Sequence, residues 1–126
     1  LRAVTHGIPG LWITSKPPNL VRKRWKLAAT PVLWLTRKSC RGEVTAKPTE
    51  LTRILNIVKN YFLSAVPKGV VLVDCTAALV KENGLSKTAK TFRELKKICA
   101  KNNAGLIILC EGLPRSKLEK IKQSVN

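Results

Sequence analysis

The chain has 126 residues, 44% of them hydrophobic, and carries 24 Lys and Arg against 7 Asp and Glu for a formal net charge of +17. This is one domain's length, residues 1–126, with enough apolar content to close one core, which excludes a disordered polyelectrolyte. The longest apolar run, AGLIILC at 104–110, is far short of the roughly 20 residues of a membrane span, and no signal-peptide pattern is visible. A cytoplasmic location is therefore expected. The chain opens on Leu1 and contains no Met, so its natural start is expected to lie elsewhere.

LWIT at 11–14 reads as the first strand. NLVRKRWKL (19–27) predicts a short helix that carries Arg22, Lys23, Arg24 and Lys26 beside Trp25. PVLWLT at 31–36 is the second strand, and the loop after it carries Arg37, Lys38 and Arg41. In PTELTRILNIVKNYF, Leu51, Ile54, Leu55, Val58 and Phe62 form one apolar stripe at helical spacing, and Pro48 suits the first helical position. GVVLVD (69–74) is the third strand, ending in Asp74. LSKTAKTFRELKKICAKNN then repeats the helical pattern through Leu85, Ala89, Phe92, Leu95 and Cys99, with Asn102, Asn103 and Gly105 as its stop. GLIILC (105–110) is the fourth strand, and PRSKLEKIKQSV (114–125) a last helix with Leu118, Ile121 and Val125 facing inward.

Strand then helix, four times over, with strands continuous in hydrophobicity, predicts an α/β fold. The expected form is a small three-layer sandwich: a mostly parallel four-stranded sheet with helices on both faces. Crossovers should be right-handed.

GLSKT at 84–88 looks like part of a phosphate-binding loop. Such a loop needs G-x-x-x-x-G-K-[ST] directly between a strand and its helix, so that backbone N–H groups curl around phosphates. VKEN at 80–83 supplies no glycine, and the strand ends too early, at Asp74. Asn83–Gly84 is read instead as a turn, with Lys87 and Thr88 inside the following helix. Asp74 sits at the strand end where parallel sheets bind ligands, or else it caps or braces the segment after it.

The succession PVLWLTR, GEVTAKPTELTRILNIVKNYF, GVVLVDCTAALVKENGLSKTAKTFRELKKI and GLIILCEGLP resembles an archaeal family, domain of unknown function 835. The resemblance runs from about Ile8 to Lys117. It implies an α/β fold reminiscent of recombinase-type nucleotidases with the phosphate loop lost, and it implies no activity. Two departures stand out. Cys75 takes the place of the family's usual glycine after the aspartate, and a basic surface replaces an acidic one. The second departure suggests a member recruited to a polyanion.

The basic residues occur in every segment rather than in one juxtamembrane cluster, which favours nucleic acid over a membrane surface as the partner. Lys90, Arg93, Lys97 and Lys101 fall at i, i+3, i+7 and i+11, one stripe opposite the core face of their helix. The last helix adds Arg115, Lys117, Lys120 and Lys122. No helix-turn-helix, zinc-finger or basic-zipper pattern is present, nor the aromatic strand motif of single-strand RNA readers. Recognition through phosphate and shape is therefore expected. The expected function is that of a structural RNA-binding component of an archaeal ribosome, beside neighbouring proteins of the particle. A duplex-DNA-binding chromatin-type protein is the alternative. Trp12 and Trp34 are expected in the core, and Trp25 either packs or stacks on bases.

Enzymatic chemistry has little to work with. His6 is the lone histidine, near the start, so no Ser–His or Cys–His pair forms around it. Cys40, Cys75, Cys99 and Cys110 lack C-x-x-C spacing. Three of them (Cys40, Cys75 and Cys110) end or follow strands, so they could gather with Asp74 and Glu111 at the carboxyl edge of the sheet. Tight apolar packing is the alternative role for these thiols. No cofactor or metal is expected, and a nucleotide- or metal-dependent enzyme using Asp74 is the third reading.

Overall fold

The computed structural model describes residues 10–25, 31–38, 43–64 and 69–125. Among these residues five strands form one sheet: β1 (Gly10–Thr14), β2 (Val32–Leu35), β3 (Val44–Ala46), β4 (Val70–Val73) and β5 (Gly105–Ile108). Five helices are described beside them: α1 (Pro18–Trp25), α2 (Leu51–Ser64), α3 (Thr76–Asn83), α4 (Leu85–Lys101) and α5 (Arg115–Val125). The strand order is β3-β2-β1-β4-β5, and every pairing is parallel. The chain winds outward from β1 to β3, returns to β4, and winds the other way to β5. The reversal lies between β1 and β4, the switch point of a doubly wound sheet.

Side chains alternate across the pleat, so register assigns the faces. Ile13 pairs with Leu33 and with Val73, and Leu35 with Ala46. These residues, with Leu11 and Val71, meet Ile54, Val58 and Phe62 of α2, Leu79 of α3, Phe92, Leu95 and Ile98 of α4, and Ile121 of α5 in one core. Right-handed crossover places α1, between β1 and β2, on the opposite face. That face holds Trp12, Val32 and Leu72, all buried, and half-buried Trp34.

The stripes expected on the two long helices supply buried Ile54, Val58, Phe62, Ala89, Phe92, Leu95 and Cys99, with Thr88, Thr91 and Ile98 of α4 buried beside them. Leu51 and Leu55 of α2 and Leu85 of α4 sit at the core margin, half-buried, and Leu118 of α5 is half-buried too. Val125 ends α5, and its side chain is outside those described.

The four-stranded expectation is corrected to five strands. β3 has three residues with Val44 exposed, too short to show any period. Helix α3 was also not foreseen, because AALV places apolar residues side by side rather than on one stripe. The β2 strand is thus followed by a strand, and β4 by two helices. Pro48 does not open α2. It sits in a turn closed by the Glu50 N–H on the Lys47 carbonyl at 2.9 Å, and the helix begins at Leu51. The stop after α4 falls on Asn103, at φ 54°, whereas Gly105 is already the first residue of β5.

Cover on both faces holds at the centre of the sheet but not at its edge. β5 reads as an interior strand yet lies outermost, and Ile107 and Leu109 are 36% and 37% exposed. Its second face lies three strands away from β2, the strand that α1 packs against.

Candidate nucleic-acid interface

The switch point between β1 and β4 is where a doubly wound sheet ordinarily takes a ligand. Here Asp74 follows β4, and its Oδ2 accepts the Trp12 indole N–H at 2.8 Å and the Thr14 hydroxyl at 3.2 Å. Thr14 Oγ1 in turn accepts the Lys16 backbone N–H at 3.1 Å. The carboxylate therefore braces β1. It does not brace the segment after it: the N-cap of α3 is Cys75, with no side-chain cap bond.

GLSKT resolves into an elbow. Gly84 joins α3 to α4 at φ 85° and ψ 161°, a region essentially restricted to glycine. Thr88 is buried, and its hydroxyl donates to the carbonyls of Leu79 and Gly84 at 3.1 and 2.9 Å. Lys87 is exposed. The hydroxyl a phosphate loop would aim at a metal is here committed to the backbone.

Cys75 is buried with its thiol on the Ile13 carbonyl at 3.8 Å, and burial, helped by the Asp74 charge, pushes it up to about 12. Cys99 is buried in the core and pushed up to about 11. Cys110, half-buried, is also raised by burial, opposed by the Thr76 hydroxyl and the Lys122 charge. That Thr76 hydroxyl is buried and makes no hydrogen bond of ordinary geometry among the described residues. Cys40 and His6 fall outside the described residues. Among those described, no three His, Cys, Asp or Glu side chains come together to hold a metal.

The predicted cations separate into three groups. On α4, Lys90, Arg93, Lys97 and Lys101 are all exposed, opposite buried Phe92 and Leu95. Lys97 meets Glu94 at 3.4 Å, a surface pair of little energetic weight. Arg93 faces Lys120 of α5 across a groove of about 510 Å³ floored by Leu85 and Ala89, so two predicted groups meet there. Arg115 and Lys117 lie exposed at the start of α5. The second group follows β2: Arg37, paired with Glu82, and Lys38 line a cleft of about 270 Å³ with Lys47 and Arg53. The third is α1, where Lys23 is exposed. Arg22 and Arg24 belong to that helix, but their side chains are outside those described, as is that of Trp25. Lys26 and Arg41 lie outside the described residues altogether.

Lys47 and Arg53 were not anticipated as site residues. The signal for them was β3: once that strand is seen, Lys47 follows its carboxyl end beside Arg37.

No helix among the described residues is long and apolar enough to cross a membrane. No curated protein and no solved structure matches the chain significantly. The family model described as protein of unknown function (DUF835) matches residues 1–119, and the chain belongs to that family.

Proposed function

We propose that this protein binds nucleic acid without catalysis, through backbone phosphates, and that its ligand is structured RNA of a ribonucleoprotein particle such as an archaeal ribosome. The observation that carries this reading is where the exposed cations lie. They occur on α4 and α5 over one face, at the carboxyl edge after β2, and on α1, with 24 basic residues against 7 acids in the chain. One straight duplex cannot touch all three groups, whereas folded RNA surrounds a protein on several sides. Charge of one sign also raises the rate of encounter with a polyanion.

The row on α4 taken alone favours duplex DNA as the second reading. Its four cations span about 16 Å along a straight helix, a length that follows a strand backbone equally well.

Co-sedimentation with ribosomes in low salt, against retardation of a duplex DNA of mixed sequence, separates the two. Retardation without co-sedimentation rejects the ribosomal version. For the phosphate mechanism, affinity should fall steeply with salt. Replacing Lys90, Lys97 and Lys101 together by Gln should lower the log–log slope by about 2 to 3. Salt-independent binding would sink the mechanism.

A further inference from the structure

The cleft at the mouths of β2 and β3 differs from the other basic surfaces in being built. Parallel pairing sets Leu35 beside Ala46, so the chain leaves both strands at one level. It places Arg37 and Lys38 against Lys47 and, one helical turn on, Arg53. Two of these cations are anchored. Arg53 donates Nε and Nη2 to the Thr45 carbonyl at 3.2 and 3.0 Å, bonds that leave Nη1 unused. Arg37 is held by Glu82 from α3. The wall between them is fixed by Thr36 N–H on the Ala46 carbonyl at 2.9 Å and by Thr36 Oγ1, which accepts the Lys38 N–H at 3.1 Å.

The Glu50 carboxylate also lines the cleft, but its Oε1 accepts the Lys47 N–H at 2.7 Å and so turns toward the backbone. Glu82 offsets Arg37 and Glu50 one further charge, so the four cations still leave these described residues net positive.

We infer that this cleft, formed by Arg37, Lys38, Lys47 and Arg53 with the hydroxyls of Thr36 and Thr45, is a seat for one phosphate ester, and that it is the point of tightest contact with the RNA chain. The inference rests on the proposed function for the identity of the polymer, not for the site itself. Anchored guanidinium groups lose less freedom on binding than lysines without such an anchor. A volume of about 270 Å³ lies just below the range of small-molecule pockets, which suits a phosphate and its sugar better than a whole nucleotide. Among the described residues no aromatic side chain lines the cleft, so they offer no base stacking there. The seat also lies two strands away from the β1–β4 switch point, whose crevice Asp74 fills with internal bonds.

The test uses the full chain labelled with ¹⁵N and titrated with inorganic phosphate at constant ionic strength. Saturable shifts should concentrate at the amides of Thr36, Lys38, Thr45 and Lys47. Lys47→Gln should weaken phosphate binding about tenfold, and so should Lys38→Gln, whose side chain makes no bond among the described residues. Lys96→Gln, at an exposed lysine outside the proposed contact set, should leave it unchanged. Shifts that rise without saturation, or that fall equally on α4, overturn the seat. A pair of oligouridylates with and without a 5′-phosphate tells the source: preference for the phosphorylated one assigns a chain end, equal binding at the cleft an internal phosphodiester. The two readings fail separately. Ribosome binding with no localised phosphate sinks only the seat, and a localised phosphate without RNA binding sinks only the RNA reading.

Discussion

Asp74 stands at the sheet position most often given to chemistry, yet both of its bonds go to β1, to Trp12 and Thr14. Removing its charge should therefore cost stability rather than activity. Asp74→Asn should lower the free energy of unfolding by about 1–2 kcal/mol in urea denaturation, because a charge-assisted acceptor becomes a neutral one. RNA affinity should stay within about twofold. A stable variant that loses ligand binding would return Asp74 to the site. The thiols allow a second prediction. Burial raises Cys75 to about 12 and Cys99 to about 11 from the ordinary value of 9, so the folded state holds these protons more tightly than the unfolded one. Their contribution is complete below pH 9 and is lost as pH rises through 11 and 12. Stability followed by denaturation should fall above pH 9, and a Cys99→Ser variant should show a shallower fall over the same range. Residue identity made the thiols' burial legible, since cysteine is among the most buried types. It did not reveal Asp74's partners, which lie some sixty positions away and are brought near only by the pairing of β1 with β4.

At the scale of elements, legibility follows length and period. Helices α2 and α4 have 14 and 17 residues, long enough for an apolar stripe to repeat, and that stripe named Ile54, Val58, Phe62, Ala89, Phe92, Leu95 and Cys99 among the buried residues but not Thr88, Thr91 or Ile98. Helix α3, with 8 residues, and β3, with 3, are too short for either period to declare itself. Missing β3 hid half of the phosphate seat, because Lys47 and Arg53 meet Arg37 only through that strand's pairing. The elbow between α3 and α4 was legible as a turn from Asn83–Gly84 alone. Its energetics come from four contacts the sequence does not display. Asn83 Nδ2 donates to the Pro48 and Leu79 carbonyls at 2.9 and 3.0 Å, and the Thr88 hydroxyl to those of Leu79 and Gly84. An added Cβ at Gly84 meets nothing within 4 Å, so a substitution there is opposed by backbone strain and not by crowding. Gly84→Ala should cost about 1–3 kcal/mol on thermal or chemical unfolding. Thr88→Val, of similar shape, should cost about 1 kcal/mol by removing the hydroxyl's bonds, since the Leu79 carbonyl keeps Asn83 Nδ2 at 3.0 Å and the Gly84 carbonyl keeps the Thr88 N–H at 3.3 Å. A neutral result for both would mean the elbow is slack.

For the whole molecule, a net charge of +17 on 126 residues opposes the compact state that the core favours. Cations on both sides of the sheet cannot be neutralised by the 7 acids of the chain, so relief has to come from solution ions or from a ligand. The two sources act in opposite directions on binding, and that separates them. Raising NaCl from about 0.01 to 0.15 M shortens the screening length from about 30 to 8 Å, so repulsion among the exposed lysines fades. The free protein should melt higher by roughly 4 °C for each kcal/mol of repulsion removed. The same salt should release bound RNA, since binding is driven by counterions that the added salt opposes. The melting curve of the complex should therefore lie well above that of the free chain in low salt. In higher salt the two should converge, the free protein rising as the complex falls. Differential scanning fluorimetry across that salt range, with and without ribosomal RNA, reads both trends at once. Parallel curves with a constant offset would mean that the ligand is held by contacts other than charge. A free protein whose melting point ignores salt would mean that the cations are too widely spread to repel one another. Either outcome would remove the physical reason for assigning so basic a chain to a polyanion.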